Sequence, residues 1–317
     1  MKSLIRIVII SVILFTLFAC GKDKHKADND KSRIFTDAMQ RQVSIPQPPK
    51  RIVSTAPSNT EMLFAIGLDE EIAGVTNFCD YPESAKTKNK IGGYFNPNIE
   101  VILSLKPDLI IATPDGYIKE RVEKLDTAGM SVFVVNPKSI EEILETMLML
   151  GKVTGKEENA KKVVKELSTR VKSVREKSAD IPMEMKPKVF YEIGHDPIIT
   201  AGPGTFVDNI ITEAGGINIA SDANTDWPRY NVEAIITREP DIIITAPHTT
   251  STDKGKLQTR LDAWRRFGTI PAVRNNRIYP LDPNILLRSG PRVIDGLEAM
   301  HVIFEEFWKS KKNANTG

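Results

Sequence analysis

The residues able to do chemistry are few and dispersed. His25, His195, His248 and His301 share no paired spacing of the kind that holds a transition metal. This argues against a zinc or manganese site and leaves at most one imidazole meeting an iron or cobalt centre. No nucleophile elbow and no His-Glu-x-x-His run occurs, so hydrolysis lacks a carrier. Cys79, inside residues 78–82 (FCDYP), reads as a small packing residue or as a thiol on a cleft wall, with packing the expectation. Aromatic and cationic side chains in loops are more informative. Tyr94 follows Gly92-Gly93 and precedes Asn96-Pro97, Trp227 lies in the polar stretch DANTDWPRY ahead of a helix, and Arg288 lies in Leu-Arg-Ser-Gly-Pro. On loops held by a rigid scaffold, such side chains recognise ligands without covalent chemistry: aromatic faces stack and arginine donates hydrogen bonds.

The elements that must position them follow an α/β pattern. Short apolar runs at 51–54 (RIVS), 109–112 (LIIA), 132–135 (VFVV), 189–192 (VFYE) and 242–245 (IIIT) are bounded by Pro, Asp or Gly, as parallel strands buried on both faces are. Helical stretches such as 59–66, 139–150 and 206–214 lie between them. Residues 58–61 (SNTE) predict a capping box at a helix start, and 202–205 (GPGT) open another helix as a cap. Residues 98–114 (NIEVILSLKPDLIIATP) recur as 231–247 (NVEAIITREPDIIITAP), with eight of seventeen positions identical. Each copy reads as an Asn cap, a helix with Glu100 or Glu233 near its start, a stop before Pro-Asp, then a strand. One α/β lobe therefore occurs twice. Between the copies, residues 157–178 lack Gly and Pro and carry apolar residues at helical spacing, predicting one long rigid helix as the bridge.

The 317 residues hold 43 Lys+Arg against 41 Asp+Glu, with 41% hydrophobic and 26% charged residues. That balance points to a globular chain of two lobes and away from nucleic-acid binding through a broad basic field. Two cysteines exclude a disulfide scaffold. Lys2 and Arg6 precede an apolar run that ends Leu17-Phe18-Ala19-Cys20, the layout of a signal peptide. Its ending resembles the bacterial lipobox, in which the cysteine is acylated. Removing residues 1–19 deletes the two basic residues and no acid, leaving 41 against 41. The polar stretch after Cys20 reads as a flexible tether.

A lipobox, two α/β lobes and a helical bridge together resemble the class III solute-binding proteins of ABC importers, a family handling vitamin B12, ferric siderophores and haem. The stretches RIVSTAPSNTEMLFAIG, FCDYP, GGYFNPNIEVILSLKPDLIIA, DWP and RSGPRV carry the resemblance, and FCDYP, the GGY run and DWP are most similar to the cobalamin binders. The resemblance implies no enzyme, no resident cofactor and no resident metal. It implies two similar lobes with central parallel sheets and a ligand cleft between them. The expected layout is a leader at 1–19, a tether at 20–33, a lobe at 34–153, the bridge at 154–180, a second lobe at 181–312 and a tail at 313–317.

The resemblance also implies roles. Tyr94 takes the aromatic stacking position of the first lobe, in place of a Trp. Phe78 is the neighbouring aromatic, although from its residue type alone it reads equally as core. Trp227 is the aromatic of the second lobe. Arg288 reaches the ligand's amide side chains, and Asn284 is its partner where a cobalamin binder carries Asp. Glu100 and Glu233 meet arginines on the two subunits of a permease dimer served by ATPase subunits. Cys20 carries the lipid of a monomeric, extracytoplasmic protein tethered to a bacterial membrane. The implied ligand is cobalamin, with a ferric siderophore or haem as the alternative. A two-lobed extracytoplasmic enzyme is a third possibility, one that requires a cluster of titratable groups in the cleft.

Overall fold

The computed structural model describes residues 32–114, 118–246 and 254–316. Residues 1–19, Cys20, His25, His248 and most of the expected tether lie outside them.

The chain opens with an antiparallel hairpin of β1 (Arg33–Thr36) and β2 (Gln42–Ile45). The first lobe then runs β3 (Ile52–Ser54), α1 (Pro57–Ala65), β4 (Ile72–Val75), β5 (Asn89–Lys90), α2 (Ile99–Ser104), β6 (Leu109–Ala112), α3 (Ile118–Thr127), β7 (Val132–Val134) and α4 (Ile140–Thr154). Its strands are all parallel, in the order β5-β4-β3-β6-β7. Helix α5 (Glu157–Ala179) leads to the second lobe. That lobe runs β8 (Lys188–Glu192), a small hairpin of β9 (Gly194–His195) and β10 (Ile198–Ile199), α6 (Phe206–Glu213), β11 (Ile217–Asn218), α7 (Val232–Arg238), β12 (Ile242–Thr245), α8 (Lys254–Arg265), α9 (Pro271–Arg274), β13 (Ile278–Pro280) and α10 (Val293–Thr316). Its parallel sheet has the order β11-β8-β12-β13.

The two sheets are copies: β4-β3-β6-β7 and β11-β8-β12-β13 follow the same winding, and the first lobe adds β5 at one edge. The repeated motif has a physical cause in each copy. Asn98 Oδ1 accepts the Val101 N–H at 3.1 Å and Asn231 Oδ1 accepts the Ala234 N–H at 2.8 Å, capping α2 and α7. The Asp after each Pro clasps the neighbouring strand: Asp108 accepts from the Lys50 and Arg51 amides at 2.6 and 3.0 Å, and Asp241 from the Lys188 amide at 2.9 Å. Strands β6 and β12 are buried throughout, as runs covered on both faces must be.

The bridge is observed over 23 residues, about 35 Å at 1.5 Å per residue. Its stripe of Ala160, Val164, Leu167, Val171 and Val174 is buried in one core that runs on from α1 and α4 of the first lobe into α6 and α10 of the second. At Gly151 of α4, an added Cβ would lie 2.5 Å from the Ala160 Cβ, so glycine sets how closely α4 and α5 approach. Arg175 of α5 pairs with Glu141 of α4 and with Glu213 of α6, one carboxylate from each lobe. Arg170 of α5 reaches Glu298 of α10 at 2.6 Å. A shared core and these ion pairs make the bridge a stiff spine.

One expectation fails. Residues 58–61 form no capping box. Helix α1 starts at Pro57, whose fixed φ suits the first helical position, and its N-cap Ala56 has no side chain able to cap. Glu61 therefore falls at the fifth helical position, too deep to reach back to the helix start, and its side chain is buried. The second expectation of this kind holds: Thr205 Oγ1 caps α6 by accepting the Asp208 N–H at 3.2 Å.

Candidate ligand-binding site

In open parallel sheets, the loops at the carboxyl ends of the strands form ligand sites. Phe78 follows β4, Tyr94 follows β5, Trp227 follows β11 and Arg288 follows β13. The sequence of each loop explains how it presents its side chain.

Cys79 is buried, with its Sγ 3.1 Å from the hydroxyls of Thr60 and Thr76. It anchors the FCDYP loop and leaves Phe78 59% exposed, which removes the core alternative for Phe78. Gly92 takes φ +98° and its carbonyl accepts the Asn77 N–H at 2.9 Å, while the Ile91 carbonyl accepts the Asn98 N–H at 2.7 Å. This ties off a tight loop carrying Tyr94 and Phe95, whose rings meet edge to face at 4.7 Å. Phe95 is the more exposed of the pair. In the second lobe, the DWP loop is pinned by Gly202 N–H to the Asp226 carbonyl at 2.8 Å and Thr200 N–H to the Pro228 carbonyl at 3.2 Å. Trp227 is left 45% exposed on that rigid support.

A cluster of four charges joins the lobes. Glu61 of α1 is fully buried by side chain. Its Oε1 accepts from Arg288 Nη1 at 3.1 Å and Arg292 Nη2 at 2.7 Å, and its Oε2 from Arg292 Nε at 2.9 Å. Arg288 Nη1 also donates to Asp80 at 2.6 Å, and its Nη2 donates to the Phe78 carbonyl at 3.3 Å. The Arg292 guanidinium lies 4.0 Å from the centre of the Tyr81 ring. Burial disfavours charge on both arginines, but their bonds to Asp80 and Glu61 outweigh it and raise both above the ordinary arginine value. Burial likewise lifts the Asp80 carboxyl, and the Arg288 bond and charge outweigh it and hold it below the ordinary carboxylate range.

Arg288 and Phe78 are thus brought into contact, and Tyr94 and Trp227 stand on separate loops of the two lobes. Asn284 lies half-buried in the short turn Pro283–Ile285, its backbone N–H donating to Asp282 Oδ1 at 2.9 Å. Glu100 and Glu233 are exposed in the first turns of α2 and α7. His195 Nδ1 lies 2.6 Å from Glu192, and His301 Nδ1 lies 3.1 Å from the Ser178 hydroxyl. Glu61, Asp80, Tyr81 and Phe95 were not among the residues expected to form the site. The available signal was Glu61 itself, the one charged residue of its helix (PSNTEMLFA), directly ahead of the apolar Met62-Leu63-Phe64 run.

Two duplicated lobes on a stiff helical spine, with aromatic side chains and a paired charge cluster at the sheet ends, are the architecture of a solute-binding protein. The chain belongs to the periplasmic binding protein family, matched over residues 52–285, and its fold is that of the class III members. It is 35% identical to the uncharacterized ABC transporter substrate-binding lipoprotein YvrC of Bacillus subtilis, over 90% of this chain and 91% of that one. It is 30% identical to the vitamin B12-binding protein of Vibrio cholerae, over 80% of this chain and 88% of the relative. The crystal structure of the Vibrio cholerae vitamin B12-binding protein BtuF superposes with a TM-score of 0.72 at 28% identity, covering 83% of this chain and 99% of the other. The haem-binding protein RhuT of Roseiflexus sp. RS-1 superposes with a TM-score of 0.70 at 27% identity, covering 82% of this chain and 99% of the other.

Proposed function

We propose that this chain is the substrate-binding component of an ABC importer, that it captures a cobalamin-type corrinoid between its lobes, and that it delivers the corrinoid to a permease dimer driven by ATPase subunits. It acts by binding, not by catalysis. Residues 1–19 are removed and Cys20 takes a lipid that holds the monomer outside the cytoplasm. Phe78, Tyr94 and Trp227 supply faces for the flat macrocycle, and Arg288 and Asn284 supply polar contacts to its amide rim.

The observation that carries the ligand assignment is the charge balance at the seam. Arg288 and Arg292 are matched by Glu61 and Asp80, so this cluster beside Phe78 carries no net positive charge. A corrin rim of neutral amides suits that setting. Haem propionates and a catecholate siderophore want uncompensated cations, which these two arginines do not offer. The likeness to the vitamin B12-binding protein supports the same choice.

Glu100 and Glu233 are the permease contacts in this account. They are exposed, they sit at matching positions of two duplicated lobes, and a two-fold permease presents two matching partners. The test is co-elution: the purified chain is passed through gel filtration with cyanocobalamin, haemin or a ferric tris-catecholate complex. Cyanocobalamin absorbance travelling with the protein is expected. Co-elution of haemin or the catecholate, with none of cyanocobalamin, overturns the assignment.

A further inference from the structure

Glu61 is an expensive residue in its place. A carboxylate sealed between two guanidinium groups loses hydration that ion pairing returns only in part, and apolar residues of the same volume are often at least as stabilising. What the arrangement does provide is fixed charge. Arg292 grips both carboxylate oxygens of Glu61 and has the Tyr81 ring against its guanidinium, so its field is spent locally. Arg288 is shared between Glu61, Asp80 and the Phe78 carbonyl. Asp80 is half exposed and can balance only one of the two cations. Without Glu61, the two arginines beside Phe78 and Tyr81 lose the carboxylate that both of them bond, and only Asp80 and the more weakly acting charge of Asp282 remain to balance them.

We propose that Glu61 is a specificity-determining residue: it cancels the charge of Arg288 and Arg292 so that the seam accepts uncharged, amide-rimmed ligands and disfavours polyanionic ones. This deepens the function proposed above and rests on the ligand meeting the protein at that seam. Glu61 acts through the arginines and Phe78, not by touching the ligand.

The experiment measures a ratio. Affinities for cyanocobalamin, haemin and a ferric tris-catecholate complex are determined by tryptophan fluorescence for the wild-type chain, Glu61→Gln, Arg292→Gln and the charge-balanced double variant. Glu61→Gln keeps the side-chain shape and is expected to move the anion-to-cyanocobalamin affinity ratio toward the anions by on the order of 10-fold, an effect that shrinks as salt is raised. Arg292→Gln moves the ratio the other way. The double variant, in which Asp80 again faces a single arginine, returns it toward wild type. A merely structural Glu61 predicts parallel losses for all three ligands and no restoration in the double variant, and either result overturns the proposal. Should Glu61→Gln fail to fold, the direction of the Arg292→Gln shift decides. If wild type binds no cyanocobalamin, the corrinoid assignment fails by itself. The selectivity role is then read on the anions, which Glu61→Gln must bind more tightly than wild type.

Discussion

Arg292 lays its guanidinium against both oxygens of Glu61, at 2.9 Å from Nε and 2.7 Å from Nη2, although 231 residues separate the two and they come from different lobes. With Arg175 holding Glu141 and Glu213 along the spine, the lobes are tied both at the bridge and at the seam. Stiffness of this kind presents preformed aromatic loops to a ligand, and affinity rises when little ordering is left to be done on binding.

Breaking the seam pair from one side leaves a buried charge short of a partner. Arg292→Ala is expected to destabilise folding by about 3 kcal/mol or more, whereas Glu61→Leu combined with Arg292→Met costs less than that single change. Urea unfolding of the two variants beside wild type measures both. Equal losses contradict the pairing described here.

Trp227 and Phe78 are held by loops and left 45% and 59% exposed. Their replacement by Ala is expected to change stability by no more than about 0.5 kcal/mol while weakening cyanocobalamin binding by roughly tenfold or more each. Thermal unfolding and fluorescence titration of the same samples separate the two effects. A fall in stability with unchanged affinity makes the side chains structural.

Asp80 makes the seam respond to acid. Its carboxyl is held below the ordinary value of 3.8, because the bond and charge of Arg288 outweigh its burial. A depressed folded-state value contributes stability that is complete above the unfolded value and lost as pH falls through the folded one. The stability gap between wild type and Asp80→Asn is therefore expected to stay constant from neutral pH to about 5 and to close only below about 3.8. Denaturant midpoints across that range check it, and a gap that closes near neutrality refutes it.

Glu100→Ala with Glu233→Ala is expected to abolish uptake of cyanocobalamin by cells that depend on this protein, with affinity for the free ligand unchanged. Both side chains are exposed at helix starts already capped by Asn98 and Asn231, so the caps remain. Loss of ligand affinity in that variant removes the docking role.

The architecture was legible because its signals are local. Apolar runs of four residues, the Asn caps and the Pro-Asp stops recur in both copies, and each is explained by a contact a few residues or one strand away. The spine was legible for the same reason, from the periodicity of residues 157–178. The loops bearing Tyr94, Trp227 and Arg288 were legible from Gly, Pro and polar neighbours. The seam was not. Glu61 looked like half of a capping box because helix starts share its spacing, and only the tertiary fold brings Arg288 and Arg292 to it from more than 220 positions away. Pairing at that distance leaves no periodic trace, and a lone charge ahead of the apolar Met62-Leu63-Phe64 run was its one sign.

The central claim is that a corrinoid binds at the seam of the two lobes, and calorimetric titration of cyanocobalamin into the full-length lipid-free chain and into its Trp227→Ala variant tests it most directly. The account predicts one site per chain, a dissociation constant of roughly micromolar or tighter, and a clear loss of affinity in the variant. No heat of binding at micromolar concentrations, or a site unaffected by Trp227→Ala, contradicts it.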